Sequence, residues 1–265
     1  IEDDAVVVNL TGGGSVAARL AVGADGRRSL CRAAAGIDTE TWSYPQSALT
    51  LNLGHTRPHH DTSTEFHTES GPFTLVPLPG LRSSLVFVTD PDKAVRASSL
   101  PDDELAAEIE RRSHSILGKI EVEPGRGVFP LAVETARAFG ARRIALVGEA
   151  AHVIPPIGAQ GLNLGLRDAA TIGELVVMAH RAGGDIGSHE LTGRYERMRR
   201  ADAISRTLAV DLLNRSLLSD FLPLQGVRGF GLALMHSIGP LRRAAMREGV
   251  MPAASQPRLM RGEAL

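Results

Sequence analysis

The chain has 265 residues, 43% of them apolar and 22% charged, with a formal net charge of −1 at pH 7. That is a globular composition, long enough for one large domain or two ordinary ones. It excludes wholesale disorder and gives no whole-chain charge reason to expect nucleic acid. The single cysteine, Cys31, excludes an intrachain disulfide and a cysteine-built metal site, and no run of about 18 apolar residues marks a membrane span.

The opening residues "IEDDAVVVNL" carry no signal-peptide pattern and read as the interior of a longer chain. Val6–Leu10 and Val16–Val22 are rich in β-branched residues and predict two strands joined by Gly12, Gly13 and Gly14. After Asp25 and Gly26, "RRSLCRAAAG" predicts a short helix closed by Gly36. Between Trp42 and Thr89, four strand-like runs separated by Gly, Pro, His and Asp predict an antiparallel sheet of their own. Pro101 and the acids Asp102, Asp103 and Glu104 suit the first turn of a helix carrying Leu105, Ile109 and Ile116 on one face and ending at Gly118. "RRIALVGEA" reads as a fully buried parallel strand, and the helix after it is expected to run to about Ala182. Arg194–Asn214 predicts another long helix, and two or three shorter ones follow.

The segment "LVGEAAHVIPPIGAQGLNLGLRDAA", Leu146–Ala170, concentrates unusual backbone chemistry. A buried strand entering a glycine turn and then a helix aims free N–H groups, together with the positive end of the helix dipole, at whatever lies above the sheet edge. Gly158 and Gly161 allow close backbone approach, Pro155 and Pro156 stiffen the path, and Asn163 can orient the loop. On these residues alone, an anion or phosphate site and a tight strand-to-helix connection both remain open.

The order of residues narrows the choice. "GEAAHVIPPIGAQGLNLGLRDA" resembles the second flavin-contacting motif of the FAD-dependent aromatic hydroxylases, the group typified by p-hydroxybenzoate hydroxylase. Gly148, Ala150, Ala151, His152, Pro155, Pro156, Gly158, Gly161, Asn163 and Asp168 occupy the motif positions. "GADGRRSLCR", Gly23–Arg32, resembles a second motif of the same family. "YPQSA", "GPFTLVPLP", "FPLAVETARAF" and "PRLMRGEAL" extend the likeness to the ubiquinone-biosynthesis hydroxylases within that group. Two departures stand out. Glu149 replaces the family's aspartate, and the family's opening strand, Gly-x-Gly-x-x-Gly turn and helix for the ADP part of FAD are not found, since no helix follows "TGGGS".

The resemblance implies a mixed α/β and α+β fold. It would comprise a partial FAD-binding three-layer domain (1–40 and 129–182), an inserted antiparallel-sheet substrate domain (41–128) and a C-terminal helical region (183–265). Asp25, Gly26, Gly148, Glu149, Pro155, Pro156, Gly158, Ala159, Gly161, Leu162 and Asn163 would contact FAD. The implied activity is an aromatic monooxygenase that uses NAD(P)H and O₂ to hydroxylate a phenol, in this subgroup a polyprenyl-phenol. The middle sheet would wall the substrate site, with apolar runs such as Phe73–Leu78 that equally suit an ordinary core. No acid–base residue is demanded, and His152 is expected to be structural or to lie on the pyrophosphate side. His55, His59, His60 and His67 could be read as metal ligands, but no defined ligand spacing is present, the loop "RPHHD" reads as solvated, and no metal site is expected. Arg27, Arg28 and Arg32 either attract nicotinamide phosphates or form a solvated face.

Residues 1–180 hold 16 basic and 22 acidic side chains, net −6, while 181–265 hold 13 and 8, net +5. The basic helices, with Phe221, Leu222, Phe230, Leu232, Leu234 and Met235, are a candidate surface for peripheral docking on an inner membrane or in a complex. Otherwise the expected location is cytoplasmic, with homo-oligomerisation open. Two alternatives stand beside the enzyme: a non-catalytic homologue acting as a lipid-binding or assembly partner, and a related reductase or halogenase. With Lys93 and Lys119 as the only lysines, the halogenase's extra lysine motif has no match.

Overall fold

In the computed structural model of the chain, residues 1–157, 160–218, 222–250 and 256–265 are described. They form two compact units: residues 1–42, 133–211 and 231–265 in one, and 43–132 and 212–230 in the other.

In the first unit, β1 (Val6–Asn9) and β2 (Ser15–Ala18) form the expected hairpin, with Val6 opposite Ala18. Gly13 and Gly14 turn it at φ of 88° and 85°, the left-handed backbone that favours glycine. The single strand expected over Val16–Val22 is instead two strands in two sheets. The break falls at Arg19 and Leu20, where the Arg143 guanidinium takes the Arg19 carbonyl at 3.0 Å. β3 (Ala21–Gly23) then pairs in parallel with β11 (Ile144–Leu146), and β10 (Gly140–Ala141) lies antiparallel on the other side of β11. Ile144, Ala145 and Leu146 are all essentially inaccessible, as an unbroken apolar run in a parallel strand requires. α1 (Leu30–Ala34) is capped by Ser29, whose hydroxyl accepts the Arg32 amide, and Gly36 follows at φ 68°.

α4 (Gln160–Arg181) and α5 (His189–Leu218) are the long helices, and α5 starts five residues before the expected Arg194. α6 (Leu222–Ser237), α7 (Gly239–Val250) and a 3₁₀ turn at Arg258–Arg261 complete the described helices. Phe221 lies outside the described residues. The first unit's core joins Phe139, Leu146, Ile172, Leu175 and Tyr195.

The second unit is built on β4 (Thr39–His55, which begins in the first unit), β5 (Thr64–Thr68), β6 (Gly71–Leu78) and β7 (Arg82–Thr89). The four pair antiparallel in the order β4-β7-β6-β5, as the strand-like runs predict. β8 (Ile120–Val122) and β9 (Gly127–Ala136) also pair with β4. Along β4, Leu49, Leu51 and Leu53 are buried at period two and pack with Phe73, Leu85 and the helical Leu105 and Ile109.

Two differences from the sequence reading stand out here. α2 (Pro91–Ser98) was not anticipated, although Asp90 caps it through the Asp92 amide (3.1 Å) and Pro91 occupies its first turn. α3 (Asp102–Arg112) ends six residues before Gly118. His114 and Ser115 adopt φ of 51° and 53°, which no α-helix tolerates, so Ile116 leaves the apolar face and is 40% exposed. His60 is exposed, as expected of the "RPHHD" loop, whereas His59 and the strand residues His55 and His67 are tied down. His55 is buried with Nε2 3.1 Å from Ser83 Oγ, His59 Nε2 lies 3.0 Å from the Leu78 carbonyl oxygen, and His67 pairs with Glu65 at 2.9 Å.

Candidate flavin-binding site

The site is assembled where β3 and β11 end side by side. The Val147 amide donates to the Gly23 carbonyl at 2.9 Å, so the two glycine-bearing connections leave the same edge of a parallel pair. Such carboxyl ends are where open α/β sheets bind ligands.

After β3 the chain turns at Gly26 (φ 75°), where an added Cβ would meet open space. Asp25 is exposed and accepts the Cys31 amide at 3.1 Å. Partial burial opposes its ionisation, but hydrogen bonds from Ser29 and the Cys31 and Leu30 amides hold its carboxyl below the usual range. The same burial, with Asp25 alongside, pushes the Cys31 thiol up, so the thiolate is disfavoured.

After β11 comes a 3₁₀ turn at Gly148–Ala150, with Gly148 at φ 58°, then β12 (His152–Val153) against Thr135 and Glu134. Pro155 is buried and Pro156 exposed. α4 begins at Gln160, and Gly161 and Leu162 are exposed on its first turn, Leu162 at 75%. Asn163 is half-buried and Glu149 is exposed. Gly158 and Ala159, which sequence reasoning assigned to the cofactor, lie outside the described residues. The structure thus brings the Asp25–Gly26 and Gly148–Glu149 segments to one sheet edge, and Gly161–Asn163 to the helix that follows.

Arg32 ties the two connections together. It donates to the Ala150 carbonyl (2.9 Å) and the Arg27 carbonyl (2.7 Å), and pairs with Glu134 at 3.0 Å. It is therefore engaged by protein, whereas Arg27 and Arg28 are exposed.

Beneath the glycine turn lies a buried charge network that sequence reasoning left as helix packing. Asp168, fully inaccessible, accepts the Gly148 amide (3.0 Å) and His152 Nε2 (2.6 Å) on Oδ2 and Arg199 Nε (2.7 Å) on Oδ1. Arg199 also reaches Asp202 at 2.9 Å. Burial alone would lower the Arg199 guanidinium, but Asp168 and Asp202 hold it above its ordinary value. Tyr195 donates to the Leu146 carbonyl at 2.6 Å, and its phenol is pushed well up by burial and by Asp168. Arg167 Nε lies 3.0 Å from Asp202 but off the line of a hydrogen bond, and among the described residues none of its three nitrogens has a hydrogen-bond partner. Burial lowers that guanidinium. The signal available in the sequence was a four-residue spacing of Tyr195, Arg199, Ala203, Thr207 and Asp211, all buried on α5.

A concavity of about 350 Å³ lined by Leu175, Met178, Leu191 and Arg194 lies at the other end of α4. From Leu162 to Met178 a helix rises roughly 24 Å, so this cleft is separate from the turns.

These residues fit a flavin. Naked backbone at Gly26 and Gly161, a left-handed Gly148, an exposed Leu162 and the start of a 22-residue helix present N–H groups and apolar surface to a planar anionic ligand.

Residues 2–207 match the FAD binding domain family. The chain is 39% identical over 262 residues to the ubiquinone hydroxylase UbiL of Rhodospirillum rubrum, covering 98% of this chain and 61% of that protein. It is 32% identical to the 3-demethoxyubiquinol 3-hydroxylase of Escherichia coli, over 92% of this chain and 62% of that protein. The chain therefore spans about three fifths of the length of these relatives. Among solved structures, a variant of Klebsiella pneumoniae HpxO complexed with FAD superimposes with a TM-score of 0.70 at 20% identity, over 96% of this chain and 66% of that one. The anhydrotetracycline hydroxylase OxyS of Streptomyces rimosus gives 0.67 at 22%, over 97% and 51%. Both structures share the fold.

Proposed function

The chain belongs to the FAD-binding-domain family, and from that premise we propose that it forms the greater part of a flavin-dependent monooxygenase that hydroxylates an aromatic ring. One observation carries the reading: two motif-bearing turns leave adjacent parallel strands and are fastened to each other by Arg32. When bound, FAD supplies the activation of O₂ with electrons from NAD(P)H, which no side chain can supply.

The protein's own work is placement. Asp25 and Gly26 line the ribityl side. Glu149 would serve the ribityl or pyrophosphate region, and Gly148 with Gly161, Leu162 and Asn163 at the start of α4 would hold the ring at its anionic edge; Gly158 and Ala159, assigned there by the motif, lie outside the described residues. A well-placed N–H donor at such an edge is worth about 3 kcal/mol. Pro155 and Pro156 stiffen the approach. His152 takes no part as a base, because its Nε2 is committed to Asp168 and its Nδ1 is buried beside Phe139. Residues 1–40 and 129–182 make the flavin-binding part, 41–128 the substrate-recognising part, and 183–265 the helical remainder.

The substrate class proposed is a phenol bearing a polyprenyl tail, on the strength of the resemblance to the ubiquinone hydroxylases. Such a substrate resides in lipid, and the C-terminal helices suit peripheral docking there. Ile238 and Leu241 are about two-fifths exposed, with Arg242 and Arg243 exposed next to them in the chain, and in the second unit Phe230 is 69% exposed. Among the described residues no helix is long and apolar enough to cross a membrane. The test is NAD(P)H oxidation by the FAD-loaded protein with and without a short-chain prenyl-phenol. Stimulated oxidation with a hydroxylated product supports the reading, and oxidation indifferent to the phenol refutes it.

A further inference from the structure

Asp168 is fully buried on α4, yet its carboxylate is spent on three donors from three separate elements. Gly148 N–H comes from the flavin-side turn, His152 Nε2 from β12, and Arg199 Nε from α5. Oδ2 accepts the Gly148 N–H and lies 2.6 Å from His152 Nε2, which places Nε2 as a donor toward the same oxygen. Among the described residues His152 Nδ1 has no hydrogen-bond partner, and the ring packs beside Phe139. The turn is confined from the opposite side as well. A Cβ added at Gly165 would stand 3.3 Å from Gly148 Cα, so α4 already touches the turn backbone.

We infer that Asp168 is the positioning residue of the flavin turn: it holds the Gly148 peptide in place and links that peptide, through Arg199, to α5. The inference rests on the flavin reading above. An asparagine cannot replace the carboxylate. It has one acceptor oxygen, and its NH₂ must face either the Arg199 donor or the Gly148 and His152 donors. One donor group is then left unpaired in a dry site, and the turn moves to relieve it. Asp168 touches no reacting atom in this account and acts only through Gly148.

The experiment compares the parent protein with Asp168→Asn and with Ile172→Ala, a core change on the same helix that meets neither Gly148 nor His152 in any hydrogen bond. FAD is titrated by flavin fluorescence, each variant's unfolding is recorded, and the Gly148 amide and His152 Nε2 protons are followed by NMR without flavin. The expected result is at least a tenfold weaker FAD affinity for Asp168→Asn and little change for Ile172→Ala at a comparable stability loss. The His152 Nε2 proton should lose its downfield position and the Gly148 amide its protection. Equal FAD affinity for parent and Asp168→Asn, or affinity falling in both variants in step with stability, overturns the positioning role. If the parent itself fails to bind FAD, the flavin reading is what fails, and unchanged Gly148 and His152 signals in Asp168→Asn would then reject the tether as well.

Discussion

Gly165 and Gly173 lie on the same helix, and the structure predicts opposite outcomes for the same substitution. A Cβ at Gly173 meets nothing within 4 Å, while one at Gly165 sits 3.3 Å from Gly148 Cα and 3.8 Å from Gly148 N. Alanine in place of an open helical glycine gains about 0.8–1.0 kcal/mol. Gly173→Ala should show that gain. At Gly165 the turn backbone has to retreat by a few tenths of an ångström, and it is held by Asp168 at 3.0 Å and by the Val147–Gly23 bond at 2.9 Å. Overpacking against a held backbone costs about 1–3 kcal/mol, which cancels or exceeds the propensity gain. The two variants should therefore differ by roughly 1–3 kcal/mol, seen as a shift in urea midpoint at constant slope. Flavin affinity should fall for Gly165→Ala alone. Equal stabilisation by both substitutions would refute the claim that α4 and the flavin turn are in contact.

The buried charges make a second contrast. Arg199→Met strips Asp168 of its cation and should cost about 3–5 kcal/mol. Arg167→Met removes one of three cations around Asp202, which keeps Arg199 and Arg206, so the same thermal-unfolding assay should show a smaller loss than for Arg199→Met. Tyr195→Phe deletes the 2.6 Å bond to the Leu146 carbonyl in a fully buried site, and calorimetry should show a loss of about 1–3 kcal/mol. The Asp185 carboxyl is held well below the usual carboxylate range by the Arg143 fork and the Gly187 amide. A depressed carboxyl contributes stability above its unfolded value and loses it as pH falls through the lower folded value. Asp185→Asn should therefore flatten the decline in melting temperature below about pH 4 and lower it at pH 7. An unchanged acid limb would show that this ion pair contributes nothing.

Much of the fold was legible wherever one physical signal acted alone. The all-apolar Ile144–Leu146, the alternating Leu49, Leu51 and Leu53, and the glycines of Gly12–Gly14 each mapped onto the expected element. Reading failed where tertiary contacts overrode local pattern. Val16–Val22 is uniformly strand-forming, yet Arg143, more than 120 residues away, claims the Arg19 carbonyl, and the run divides between two sheets. α3 stops early because His114 and Ser115 take left-handed backbone, which their sequence does not announce.

The site was legible through its glycines and motif order, but its support was not. α5 buries Tyr195, Arg199, Ala203 and Thr207 while leaving Ile204, Leu208 and Leu212 46–59% exposed, so its amphipathic pattern is inverted and hides the network. Asp168 stands at a motif position, but nothing in the chain reveals that Gly148, His152 and Arg199 converge on it.

The account stands or falls on whether the turns after β3 and β11 hold flavin. The most direct measurement is an FAD titration of the protein and of its Gly161→Leu variant, followed by flavin fluorescence and the visible spectrum. Among the described residues, an added Cβ at the exposed Gly161 meets Ile154 alone, at 4.0 Å, so leucine should leave the fold intact and fill the space where the flavin approaches. The account predicts saturable binding with a perturbed flavin spectrum, weakened at least tenfold in Gly161→Leu at an unchanged melting temperature. Binding that is identical in the two proteins would place the flavin elsewhere and contradict it.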